Sequence, residues 1–141
     1  LLYLLGMFSS VWAGKLADRL GRRNVLWLFM GVMIAGLLVT LHDSVVAVVL
    51  GVGVATFGFF ASHSVASSWV GRRAKAPQAL ASGIYLFCYY LGSSVVGWFT
   101  GYVWEHWSWP GVVAELAALL GLGLGIALRL RRLQPAAAAN P

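Results

Sequence analysis

The stretch Gly14-Lys15-Leu16-Ala17-Asp18-Arg19-Leu20-Gly21-Arg22-Arg23 decides the fold of this chain. It holds four of the ten basic residues and one of the four acidic residues, and strongly apolar segments flank it on both sides. Charge packed this densely between two hydrophobic helices is typical of a loop at the face of a membrane. The stretch therefore sets the orientation of every other segment.

The composition is that of a polytopic membrane protein. Of the 141 residues, 60% are hydrophobic and 10% are charged, whereas a soluble domain has about 45–50% apolar and about 25% charged residues. The net charge of +6 would suit nucleic acid, but the basic residues form three short clusters between long apolar runs. No nucleic-acid partner is therefore expected. Cys88 is the only cysteine, which excludes an internal disulfide and a multi-cysteine metal site.

Five apolar segments predict an all-α, polytopic transmembrane helical bundle. They span 1–13, 25–41, 45–70, 79–104 and 112–128. A helix needs about 20 residues to cross a bilayer, so the first segment is too short to cross alone. We interpret it as the end of a helix whose beginning is missing, which makes the chain a fragment. The last eight residues, 134–141, are expected to form a disordered C-terminal tail.

Basic residues occur only in alternate loops. They follow the first, third and fifth segments: Lys15, Arg19, Arg22 and Arg23; Arg72, Arg73 and Lys75; Arg129, Arg131 and Arg132. The two remaining loops carry His42 with Asp43, and Glu105 with His106. Because successive crossings place alternate loops on opposite sides, this pattern satisfies the positive-inside rule. The basic loops and the C-terminus are therefore predicted to be cytoplasmic.

The 14–23 stretch resembles a signature of the major facilitator superfamily of transporters, G-x-L-A-D-R-x-G-R-R, which lies in a short cytoplasmic loop between two helices. Residues 61–70 and 89–94 resemble the tenth and eleventh helices of bacterial arabinose- and drug-efflux permeases of this superfamily. The resemblance implies that 1–133 is the C-terminal half of a transporter, from part of helix eight to helix twelve, truncated at its N-terminus. A placement from the second to the sixth helix has the same topology.

The signature loop is predicted to be a cytoplasmic latch. Its candidate residues are two glycines, an acid and three arginines: Gly14, Asp18, Arg19, Gly21, Arg22 and Arg23. Gly14 would let a neighbouring backbone approach closely, and Gly21 would permit a tight turn at positive φ. Asp18 can pair with Arg22 one helical turn on, or face a helix N-terminus. The resemblance implies a charge relay that latches the two transporter halves; the alternative is a solvated loop that only sets topology.

His63 is the first candidate for a substrate or proton pathway. It lies nine residues before Arg72, about 13 Å along a helix, and an ionisable residue within the hydrocarbon is a functional candidate. The spacing of Thr56, Phe60, His63 and Ser67 places all four on one helix face, which could line a cavity. The alternative is a neutral histidine hydrogen-bonded to a neighbouring helix.

The fourth and fifth segments carry the remaining pathway candidates. Small or aromatic residues recur at every fourth position of the fourth segment: Tyr85, Tyr89, Ser93, Gly97 and Gly101. The tyrosines can contact an aromatic or apolar substrate or serve packing alone, and the glycines suit close helix packing. Glu115 lies about one turn inside the fifth helix, where it can couple protons or reach to the outer interface.

The favoured function is a fragment of a secondary transporter of the bacterial inner membrane. The resemblance implies a proton-coupled efflux permease for a small organic solute, working by alternating access. Its expected partners are membrane lipid, the solute and the missing N-terminal half. The sequence contains no catalytic residue set, no zinc-ligand spacing and no cofactor motif, so neither an enzyme nor a cofactor is predicted. The alternative is a small stand-alone membrane protein that binds or regulates partner helices.

Overall fold

The computed structural model describes residues 2–73 and 77–132, and these ranges are helical apart from short connections. The helices are α1 (Leu2–Leu20), α2 (Arg22–Val39), α3 (Val45–Arg73) and α4 (Gln78–Arg132). Lys75 and the predicted disordered tail, 134–141, lie outside the described residues. The all-α fold class is confirmed.

Helix α4 is a helical hairpin of two arms. Ser108 has φ 53° and ψ −155°, which interrupts the helix, and Pro110 follows it. Across this break, Thr100 Oγ1 donates a hydrogen bond to Glu115 Oε1 at 3.2 Å, whereas fifteen residues of straight helix would separate them by about 22 Å. The chain therefore doubles back, and we call 78–107 the first arm and 109–132 the second arm. With these arms, all five predicted segments are helical.

The signature stretch is mostly helix rather than loop. The first apolar segment ends at residue 13, but α1 continues to Leu20 because the intervening Lys, Leu, Ala and Arg residues favour helix. Only Gly21 separates α1 from α2, and its φ of 85° lies in a region that side chains disfavour. The predicted turn at positive φ is confirmed.

Within residues 2–73 and 77–132, two helices are long and apolar enough to cross a membrane, over Val45–Arg72 and Gln78–Arg129. The second range contains both arms of α4, so the break at Ser108 divides it into two passes. Asn24–Val39 of α2 is a shorter apolar helix.

Helices α2 and α3 pack with their backbones in contact. A Cβ atom at Gly36 would lie 2.8 Å from Gly51 O, and one at Gly58 would lie 2.8 Å from Phe29 O. Glycine is needed at these two places because any side chain would force the helices apart. The buried core lies where α1, α2 and α3 meet, and each helix contributes one pair of residues: Ala13 and Ala17, Val25 and Phe29, Ala61 and Val65.

The two ends of the bundle differ in charge. Arg22 Nε donates a hydrogen bond to Ser68 Oγ at 3.2 Å, so the α1–α2 junction lies beside the C-terminal end of α3. At the other end, Trp109 Nε1 donates to Thr40 O at 3.2 Å. Because consecutive segments run in opposite directions, the basic residues on the described helices share the first end, as the sequence predicts. That this end faces the cytoplasm remains a prediction.

Candidate functional site

A cavity of about 400 Å³ lies between α2, α3 and the two arms of α4. Among the described residues that line it, none carries a carboxylate, ammonium or guanidinium group. Its polar lining residues come from α3 and the first arm of α4: Ser62, His63, Tyr85 and Tyr89. The structure thus brings together three of the pathway candidates that the sequence indicated.

His63 and Tyr85 form the polar centre of this cavity. Tyr85 Oη lies 3.0 Å from His63 Nδ1, within hydrogen-bond distance, and joins α3 to the first arm of α4. Which of the two atoms donates depends on the protonation and tautomer of the imidazole. Tyr89 packs beside them, with its ring centroid 4.8 Å from that of His63. The alternative stated above, a neutral histidine that only bonds to a neighbouring helix, uses the same contact. The hydrogen bond is therefore compatible with a packing role for His63 and with a role in transport.

The cavity-lining face of α3 differs from the predicted one. The residues on the wall are Phe59, Ser62, His63 and Ala66, whereas the predicted companions of His63 were Thr56, Phe60 and Ser67. At about 100° per residue, those three companions lie to one side of His63 and the observed wall residues lie to the other. His63 therefore stands at the edge of the face, and spacing alone could not choose the side.

Ser67 is the pathway candidate on α3 that the cavity does not include. Its hydroxyl donates to Ser64 O at 3.2 Å, within its own helix. Phe60, also predicted to share this face, packs against α1, where a Cβ at Gly6 would lie 2.8 Å from its ring. This side of α3 faces α1 rather than the cavity.

Of the residues that recur at every fourth position of the first arm, only the first two line the cavity. Tyr85 and Tyr89 are half-buried on the wall, but Ser93, Gly97 and Gly101 are exposed. Every fourth residue advances about 40° around a helix, so the series winds away from the bundle. Nothing in the described chain lies within 4 Å of a Cβ built at Gly97 or Gly101, and the close helix packing predicted for them does not occur there.

Glu115 occupies a second polar site, between the arms of α4 and apart from the cavity. Its Oε1 atom accepts the hydrogen bond from Thr100, and its Oε2 atom is buried without a hydrogen-bond partner in the described part of the chain. The side chain is therefore held between the arms instead of reaching outward. The predicted pathway residues thus fall at three separate places, the cavity, the site of Glu115 and the opposite side of α3 at Ser67, which the sequence did not distinguish.

The predicted latch is built around Arg22. Arg22 Nη2 donates to Asp18 Oδ1 at 2.8 Å, so the predicted pairing is confirmed, but it joins α1 to α2 across Gly21 rather than lying within one helical turn. The Arg22 side chain is 16% exposed and that of Asp18 is 57% exposed. Arg19 points to solvent or lipid as an exposed residue, and the described side chains do not include that of Arg23.

The role predicted for Gly14 is wrong within the described structure. Nothing lies within 4 Å of a Cβ atom built there, so no backbone approaches it closely. The partner that the sequence did not reveal is Ser68, which accepts the second hydrogen bond from Arg22. Forty-six positions separate them along the chain, and no local spacing connects residues so far apart.

Membrane-length helices, basic charge at one end of the bundle and an open cavity between four helical segments are typical of a helical membrane protein. The family model for the Major Facilitator Superfamily matches residues 1–141. The chain belongs to this superfamily, and its five segments are part of a transmembrane helical bundle.

Relatives of the same family are similar along most of the chain. The uncharacterized MFS-type transporter YybF of Bacillus subtilis is 43% identical over 92% of the chain. The inner membrane transport protein YnfM of Escherichia coli is 46% identical over 94% of the chain. The chain spans 32% of the length of each of these relatives. No solved structure gives a significant match.

Proposed function

We propose that the chain is part of a longer secondary transporter of the bacterial inner membrane, to which it contributes one helical bundle while a missing N-terminal half contributes the other. Membership of the superfamily supports transport, and the inner-membrane assignment of the Escherichia coli relative YnfM supports the location. The basic end of the bundle, with the C-terminus, would face the cytoplasm. Solute would cross by alternating access, in which the two bundles rock about a site near mid-membrane.

The observation that carries this proposal is the cavity centred on the His63–Tyr85 hydrogen bond. His63 lies about 13 Å along α3 from the basic end, which is close to half of a hydrocarbon core of about 30 Å. An apolar cavity with a few convergent polar groups is the usual form of a small-molecule site. This depth is where a site alternately open to both sides should lie.

The chemistry of the same hydrogen bond supports the proposal that transport is coupled to protons. The Nδ1 atom of a neutral His63 can accept a hydrogen bond from the Tyr85 hydroxyl, but a protonated imidazole donates at both nitrogens. When His63 is protonated, Tyr85 Oη must therefore accept the hydrogen bond from Nδ1. The hydroxyl hydrogen of Tyr85 would then point to another part of the cavity. Proton binding and solute binding would compete for the same polar groups, as exchange of a solute for protons requires.

The direction of transport, efflux, rests on the resemblance of 61–70 and 89–94 to efflux permeases.

The latch would regulate access from the cytoplasmic side. Arg22 bonds to Asp18 on α1 and to Ser68 on α3, and Ser68 lies five positions after His63 on the same helix. A rotation of α3 that opens the cavity would therefore also strain the contact at Ser68.

The test uses the full-length protein that contains this chain, reconstituted in vesicles with a trapped pH dye. A panel of small organic solutes is added, and solute-dependent proton movement is recorded. Wild-type protein should move protons with at least one solute, and His63→Gln should abolish that movement. His106→Gln, at the exposed opposite end, is the matched control and should transport normally. Undiminished proton movement in the His63 variant would refute the proton role.

A further inference from the structure

We propose that the cavity binds an uncharged, planar aromatic solute of about two rings that carries one hydrogen-bonding group. This inference rests on the proposed function and names the class of its substrate. It follows from the two unlike walls of the cavity, from the absence of charge among the described lining residues, and from its size.

One wall of the cavity is aromatic. The rings of Phe59 and His63 stack with centroids 6.0 Å apart and an interplanar angle of 17°. Tyr89 adjoins both, at 6.3 Å from Phe59 and 4.8 Å from His63. Three adjoining rings present π faces and edges to whatever fills the cavity, and aromatic pairs gain energy beyond the area they bury. This wall favours a planar aromatic solute over an aliphatic one.

The facing wall is aliphatic and adaptable. Met30 and Met33 come from α2, and Leu120 and Ile126 come from the second arm of α4. Methionine has an unbranched, polarizable side chain that fits irregular shapes and makes favourable contacts with aromatic rings. A ring bound here would lie between aromatic side chains and thioethers.

The polar groups of the cavity suit a neutral hydrogen-bonding group. A charged solute would be buried among described residues that offer no opposite charge, which is costly. Tyr85 occupies only Nδ1 of His63 and so leaves Nε2 for a ligand. Ser62 also lines the cavity, and its buried Oγ has no hydrogen-bond partner in the described chain. A rotation of the Ser62 hydroxyl would offer the solute a second hydrogen-bonding group.

The cavity, which is open on one side, has room for a solute of a few rings. An apolar cavity of about 150 Å³ accommodates benzene, and this one measures about 400 Å³. A solute of about two rings would therefore fill it without displacing the helices.

The experiment measures binding to the full-length protein in lipid nanodiscs by equilibrium dialysis at pH 7. The probes are 2-naphthol, 2-naphthoate, which adds a negative charge, and 2-decalol, which has the same skeleton without aromatic rings. We expect saturable binding of 2-naphthol and at least tenfold weaker binding of the other two. Equal binding of 2-naphthol and either control probe would overturn the proposed class.

Substitutions at two glycines of the second arm test whether 2-naphthol binds in the cavity. A Cβ at Gly123 would lie 2.5 Å from Met30 Cε, so Gly123→Leu should fill the cavity and weaken 2-naphthol binding at least tenfold. Gly125→Leu makes the same change where nothing lies within 4 Å and should leave binding unchanged, which also corrects for partition into lipid. Equal effects of both variants would contradict the location. If Gly123→Leu fails to fold, Tyr89→Leu tests the location instead, because it removes an aromatic ring from the cavity wall and should also weaken 2-naphthol binding.

Transport of labelled 2-naphthol is measured separately. If 2-naphthol binds but the wild-type protein moves neither it nor any solute of the panel, the transport proposal fails, while the class of solute that the cavity binds stands. If 2-naphthol does not bind while His63→Gln still abolishes proton movement with another solute, the solute class fails and transport stands.

Discussion

Arg22 donates hydrogen bonds to both Asp18 and Ser68, and through these two contacts it connects three helices at the basic end of the bundle. The Asp18 contact joins α1 to α2 across the Gly21 junction, whereas the Ser68 contact reaches α3. Since α3 also carries His63, one side chain links the signature stretch to the helix that lines the cavity. Four predictions follow from this arrangement and from the fold around it.

Ser68→Ala should slow transport by the full-length protein. It removes the acceptor of the Arg22 Nε hydrogen bond, which is worth about 1 kcal/mol, and that energy changes an equilibrium constant about fivefold. We expect a fall of this size in maximal rate with little change in half-saturating concentration, measured as initial solute uptake in vesicles. Ser67→Ala is the control, because Ser67 bonds only to Ser64 O in the described chain. Equal rates in the two variants would remove Ser68 from the latch.

Asp18→Asn should slow transport while the protein stays in the membrane at its normal level. An exposed ion pair contributes about 0–1 kcal/mol, so folding should tolerate the change, but a neutral amide holds Arg22 less firmly. Uptake assays combined with quantitative blots of membrane fractions measure both effects. Asp43→Asn, an exposed acid at the opposite end, should transport normally. Unchanged kinetics in Asp18→Asn would leave the loop with a role in topology alone.

Ser108→Gly should raise the thermal stability of the protein. The φ of 53° and ψ of −155° at Ser108 fall in a region that is nearly restricted to glycine and that costs other residues about 1–3 kcal/mol. Ser93→Gly makes the same change inside an exposed part of the first arm and should lower stability, by about 1 kcal/mol. Thermal unfolding of the detergent-solubilised protein, followed by circular dichroism, should give shifts of opposite sign. Shifts of the same sign would show that Ser108 is not strained.

The basic end of the bundle should be cytoplasmic. In a background in which Cys88 is replaced by serine, a membrane-impermeant thiol reagent should label Asp43→Cys in intact cells. Arg72→Cys should react only after the membrane is permeabilised, because the positive-inside rule retains basic loops in the cytoplasm. Both positions are exposed, so accessibility within the fold does not bias the comparison. Labelling of Arg72→Cys in intact cells would reverse the assigned orientation.

Local sequence features determined the helices, the turn and one ion pair. Apolar runs of membrane length form helices because an unpaired backbone is too costly in hydrocarbon. Gly21 is the residue that tolerates positive φ, and Asp18 meets Arg22 because only the turn at Gly21 separates the end of α1 from the start of α2. The break in α4 is also local, since Pro110 marks a helix start. Each of these features depends on neighbours within a few positions.

Only the tertiary structure decided which helix faces meet. His63 lies at the edge of a face, so residue spacing offers no physical reason to prefer Phe59 over Phe60 as its neighbour in the cavity wall. The contacts of Tyr85 with His63 and of Ser68 with Arg22 join residues 22 and 46 positions apart. Such contacts depend on how whole helices rotate and pack, and that rotation is set by close backbone approach at residues such as Gly36 and Gly58 rather than by any local pattern.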